Sequence, residues 1–147
     1  MSIKSFFAIP FAKIAIKKVN KWASNPHKTQ EKVFKNLISK ASKTAFGKDH
    51  DFENIHNYAD FKALVKIQDY EGLRKYVDRM VAGESDILWP GKPLYYAKTS
   101  GTTSGAKYIP ITKDSMPTHI KAAKNALLSY IVEKKDASFV NGKMIFL

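Results

Sequence analysis

With 147 residues, 44% hydrophobic and 12% aromatic, the chain is long enough to bury a core without disulfides or metal and lies far from the composition of disorder. Its lack of cysteine excludes disulfide frameworks, thiolate nucleophiles, zinc ribbons and iron–sulfur ligation from this stretch, in keeping with a reducing compartment. A formal net charge of +12 attracts phosphates, nucleic acid or anionic lipid without choosing among them, and the lysines are densest from Lys4 to Lys48, where only Glu31 opposes them.

The apolar opening, residues 1–12, is interrupted by Lys13, Lys17 and Lys18 before a signal-peptide core or membrane span could develop, so the chain reads as cytoplasmic. Phe7, Phe11, Ile14, Lys18 and Trp22 fall at helical spacing beside Lys13, Lys17 and Lys21, which predicts a basic amphipathic helix ended by Asn25 and Pro26. A second helix is expected from about residue 29 to 46, with Phe34, Leu37, Ile38, Ala41 and Ala45 on one face and Gly47 in the left-handed position after its end. Asn57 and Asp60 have the spacing of a capping box ahead of Phe61, Leu64 and Val65. Asp69 caps a fourth helix, with Tyr70, Leu73, Val77, Met80 and Val81 on its apolar side and Gly83 as its stop.

After Trp89, Pro90 and Gly91 the pattern changes to two short β-prone runs, 94–97 and 108–111, around a loop rich in glycine, serine and threonine. A long helix follows from about residue 115, marked by Met116, Ile120, Ala123, Leu127 and Ile131, with Pro117 tolerated in its first turn. Residues 143–147 read as another strand, in which the chain stops without a turn or polar tail, as though cut from a larger sheet. The expected class is α/β, a helical first half followed by a strand–loop–strand–helix–strand unit.

Between Thr99 and Lys107 stand Gly101 and Gly105, the hydroxyls of Thr99, Ser100, Thr102, Thr103 and Ser104, and the lysine, with no bulky side chain to keep an anion from the backbone. The glycines allow successive N–H groups to point into one concavity, the hydroxyls add donors, and Lys107 adds a compact positive charge. A Walker loop is excluded by spacing, since Ala106 separates Gly105 from Lys107, Tyr108 replaces the metal-binding hydroxyl, and a β-prone run follows. The dinucleotide fingerprint is absent. On composition alone the loop reads equally well as an anion cradle or as a plain strand connector.

The fuller string separates those readings. Tyr70 and Glu71, the run Tyr76 to Met80, Gly83 and Glu84, Leu88 to Gly91, Ser100 to Thr103, and Ile109 with Pro110 closely resemble the Gretchen Hagen auxin-responsive-promoter family of acyl acid–amido synthetases, particularly its bacterial members. Asn25 with Pro26, and Phe46 to Lys48, extend the resemblance over nearly the whole chain. It implies that 1–147 is the N-terminal part of the large domain of an adenylate-forming enzyme, whose remaining catalytic domain and mobile C-terminal domain are partners outside this chain. It further implies ATP and Mg2+, with a small-molecule carboxylic acid and an amine or amino acid as substrates, joined as an amide through an acyl-adenylate. Thr99, Ser100, Gly101, Thr102, Thr103, Ser104, Gly105 and Lys107 would form the phosphate loop, Ser100 to Ser104 and Lys107 holding the β- and γ-phosphates. No catalytic group or protein metal ligand is assigned, and this stretch alone is expected to lack turnover. The chain departs from many bacterial members in having threonine rather than serine at 99 and one residue fewer between Ser104 and Lys107.

The competing reading is a small basic module for nucleic acid or a membrane surface. No RNA-binding aromatic motif, helix-turn-helix spacing or arginine cluster supports it. His27, His50, His56 and His119 lack metal spacing, and Asp49 and Asp51 beside His50 are assigned no chemistry. Of Tyr95 and Tyr96, one could stack on a base or cover the acyl site, with core packing expected for at least one; Trp22 and Trp89 are read as packing residues, Trp22 alternatively as an interfacial one.

Overall fold

The computed structural model describes residues 3–100 and 105–143. They comprise α1 (Ile3–Ala23), α2 (Pro26–Ala41), α3 (Ala45–Asp49), α4 (Tyr58–Leu64), α5 (Tyr70–Val81), β1 (Tyr95–Lys98), β2 (Tyr108–Ile111) and α6 (Met116–Lys134), with 3-10 turns at Phe52–Asn54 and Ser138–Asn141. The chain divides into two compact units, one formed by 30–116 and the other by 1–29 with 117–147.

In the 30–116 unit, the expected helix 29–46 is two helices. α1 stops at Ala23, just ahead of Asn25 and Pro26 as expected, and Pro26 also opens α2, because a proline at the first helical position gives up an N–H that would have had no partner there. The break after Ala41 is made by Thr44, whose hydroxyl donates to the Ala41 carbonyl at 2.7 Å and accepts the Gly47 N–H at 3.0 Å, which caps α3. Gly47 therefore lies inside α3 and not in a left-handed position beyond a helix. A Cβ there would sit 2.1 Å from the Ala41 carbonyl oxygen, so glycine permits the close approach of the two helices.

The Asn57–Asp60 capping box forms as expected at α4, and Asp69 caps α5 through the Gly72 N–H at 3.0 Å. Gly83, at φ +97, ends α5's exit turn. Tyr76, Val77 and Met80 are buried on α5, whereas Val81, expected among them, is half exposed. Two apolar clusters fill this unit. One gathers Ile38, Ala41, Phe52 and Ile55 with Trp89 against it, and the other joins Tyr76, Met80 and Ile87. The segment after α5 is tied to α3 by the Ala45 and Phe46 N–H groups, which donate to the carbonyls of Asp86 and Ile87.

β1 and β2 form a two-stranded antiparallel ribbon with Tyr95 opposite Ile111 and Lys98 opposite Tyr108. Pro110 is tolerated because a ribbon has free edges. Among the described residues the structure is mostly helical and this ribbon is its one sheet. The strand expected at 143–147 falls outside the described residues except for Lys143, which is not in a strand.

In the second unit, Ala12 of α1 packs with Leu128 and Ile131 of α6 and with Ala137. Ile120 and Ala123, expected on the core side of α6, are exposed, so only the C-terminal part of that helix is buried. Pro10 lies within α1 on its exposed side, where the carbonyl it leaves without a helical donor can turn to water.

Candidate phosphate-binding loop

The glycine-rich segment joins β1 to β2, and its mouth is closed by one residue from each side. The Thr99 N–H donates to the Lys107 carbonyl at 3.0 Å, and the Lys107 N–H donates to the Thr99 hydroxyl oxygen at 3.2 Å. Two sequence-predicted site residues thus meet at the base of the loop, and Thr99 acts there through its side chain as well as its backbone. Gly105 adopts φ +80, and among the described residues, its chain neighbours aside, no heavy atom lies within 4 Å of the place a Cβ would occupy. That conformation suits glycine. Ser100 is exposed. Gly101, Thr102, Thr103 and Ser104 lie outside the described residues.

A tyrosine from α5 supports the base. The Tyr108 N–H donates to the Tyr70 hydroxyl at 2.8 Å, and the Lys107 ammonium lies 5.5 Å from the centre of the Tyr70 ring. Tyr70 is the first residue of α5, so the Asp69 cap that starts this helix also positions the ring under β2. Tyr96 anchors the other strand. Its hydroxyl donates to the Met80 carbonyl at 2.6 Å and its ring meets Tyr108 edge-on, while burial pushes its phenol pKa up. The packing role therefore falls to Tyr96, and Tyr95 is exposed. Lys98 extends over the Tyr108 ring at 5.9 Å.

Neither Lys98 nor Lys107 forms a salt bridge with the described residues, whose four ion pairs lie elsewhere. The loop base thus presents two ammonium groups, an exposed serine and glycine backbone. This donor set suits an anion, and it contains no nucleophile–base pair. Tyr70 is the residue beneath the loop that periodicity did not mark, since it reads as one more apolar position of α5, whereas its contact with Tyr108 is made by its hydroxyl.

His50, Asp49 and Asp51, set aside above, have structural partners. His50 stacks on Phe46 at 4.0 Å, with Nδ1 2.9 Å from the Phe46 carbonyl oxygen. Asp49 accepts the Tyr76 hydroxyl at 2.7 Å, and burial, reinforced by that carboxylate, pushes the Tyr76 phenol pKa up. Asp51 accepts from the Asn54 amide. Trp89 packs as expected, but Trp22 is exposed. Among the described residues no three His, Cys, Asp or Glu side chains cluster as a metal site, and no helix is long and apolar enough to cross a membrane.

No curated protein matches the chain. A family model described as the GH3 family N-terminal domain matches residues 15–146, a span that includes the whole hairpin and the α5 residues beneath it. With nine-tenths of its length inside that match, the chain belongs to the GH3 family, as its resemblance to the Gretchen Hagen proteins implied.

Proposed function

We propose that this chain supplies the triphosphate-binding hairpin of an ATP-dependent acid–amido ligase. The observation that carries the reading is the loop mouth, where Thr99 and Lys107 are paired, Tyr70 braces β2, and Gly105 adopts a left-handed φ of +80 that suits glycine. In the reaction proposed, a carboxylate oxygen attacks the α-phosphorus of ATP and the bond to pyrophosphate breaks. An amine nitrogen then attacks the acyl carbon of the adenylate, loses a proton and displaces AMP. The loop's part is positioning and charge stabilisation, with Ser100, Thr102, Thr103 and Ser104 donating to phosphate oxygens and Lys107 supplying fixed positive charge. Magnesium, bound through the phosphates, would offset charge on the departing pyrophosphate.

The test is ATP-dependent pyrophosphate release with a panel of carboxylic acids, in protein carrying this domain. Replacing Thr102 and Thr103 together by alanine is expected to slow adenylation by roughly tenfold or more, since each lost contact to charge is worth about 1–3 kcal/mol. An unchanged rate in the double variant rejects the assignment.

A further inference from the structure

α1 is apolar on two sides, and only one of them is used within its own unit. Ala8, Ile9, Ala12, Ala15 and Ile16 pack towards α6 and the turn at Ser138–Asn141. On the other side, Phe6, Phe7, Phe11, Ile14 and Trp22, joined by Ile120 of α6, expose between 51% and 63% of their surface. Lys13, Lys17, Lys18 and Lys21 are interleaved with them, and Lys124 of α6 reaches over the Phe11 ring at 4.9 Å, which makes one mixed face of the two helices. The segments 1–29 and 117–147 hold eleven lysines against two carboxylates, Glu133 and Asp136. Most of the molecule's net positive charge therefore sits in this unit.

We propose that this face docks on an anionic phospholipid surface, with α1 lying in the plane of the interface. Aromatic and aliphatic side chains would enter the acyl boundary, and Trp22 would settle at headgroup depth. The lysines would keep their ammonium groups among lipid phosphates while their stems cover apolar surface. Charge selects this occupant over a second copy of the chain, because two such faces would bring like charges together. The side chains select it over nucleic acid, since both arginines of the chain, Arg74 and Arg79, lie in the other unit and the positions between the lysines are large and apolar.

Sedimentation of the 147-residue chain with phosphatidylcholine vesicles, with and without phosphatidylserine, tests the proposal. Binding is expected to the anionic vesicles, to weaken with added salt, and to fall at least about tenfold in Phe7→Ser/Phe11→Ser and in Lys13→Gln/Lys17→Gln/Lys21→Gln. Both variants change exposed positions, and unaltered far-ultraviolet circular dichroism would show that they remain folded. A second readout is quenching by brominated lipid, expected to decrease in Trp22→Phe. Failure to bind anionic vesicles at low salt overturns the proposal. So does binding that ignores the phenylalanine changes, tighter binding to single-stranded RNA than to vesicles, or self-association that the phenylalanine changes abolish.

Discussion

Gly47 and Tyr70 show how much can depend on one atom. At Gly47 a Cβ would sit 2.1 Å from a backbone oxygen, which cannot swing aside as a side chain could. Gly47→Ala should therefore force α2 and α3 apart and cost about 3 kcal/mol or more, the range of severe backbone conflicts. Urea unfolding of the variant checks this, and a loss within the ordinary surface range would mean that the approach relaxes easily. Tyr70 differs in kind, because its hydroxyl, and not its ring, holds the Tyr108 N–H. Tyr70→Phe should cost about 1 kcal/mol in stability, the usual worth of one such bond. If the loop holds ATP as proposed, the same change should also weaken that binding, because the Lys107 end of the loop loses its brace. A variant that loses stability but binds ATP as tightly as before would confine Tyr70 to a packing role.

Helix ends follow the same local logic. In α4, Asn57 accepts the N–H groups of Ala59 and Asp60 at 2.8 and 3.0 Å, while the Asp60 carboxylate accepts from His56 and Asn57. Asn57→Ala should cost about 1 kcal/mol, read from chemical denaturation. The backbone N–H of His56, foremost, holds the Asp60 carboxyl below its ordinary pKa. Folding lowers this pKa, so the contribution is fully present above the unfolded value of about 3.9 and is lost as pH falls through the lower folded value. The stability gap between the native chain and Asp60→Ala should accordingly narrow on acidification, and a gap that widens would contradict the assignment.

These caps were legible in the sequence because a cap needs only residues three or four apart. The ribbon was legible for a similar reason, since its two β-prone runs flank a single loop. The division of the expected helix 29–46 was not, because the Thr44 side chain had to compete with an apolar pattern that runs on through Ala45. Nor could spacing reveal that the N-terminal part of α6 is exposed, because Ile120 and Ala123 share the period of Ile131 and differ only in what the fold places against them. Thr99 and Lys107 were named as site residues from the loop string, but their hydrogen-bonded closure of its mouth depends on register. Tyr70 required the three-dimensional contact of α5 with β2.

The two units differ in how the chain must assemble them, and this sets an order of folding. The 30–116 unit is continuous in sequence, carries two apolar clusters of its own, and is crossed by the Lys40–Asp114 ion pair at 2.8 Å and the Trp89 indole bond to Asp114 at 3.3 Å. The other unit packs α1 against α6, so it cannot form until the intervening segment is spanned. If that segment were flexible, closing it would cost about 4 kcal/mol in chain entropy, against a single small cluster built largely on alanine, leucine and isoleucine. Folding of 30–116 removes much of this cost by drawing residues 40 and 114 together first. The 30–116 segment should therefore fold alone with a cooperative urea transition, whereas peptides 1–29 and 117–147 mixed at equal concentration should remain largely non-helical. In native-state hydrogen exchange the amides of α5 should outlast those of α1. The reverse order, or a 30–116 fragment without a cooperative transition, would show that the discontinuous unit is the more stable one and that the molecule folds from its ends inward.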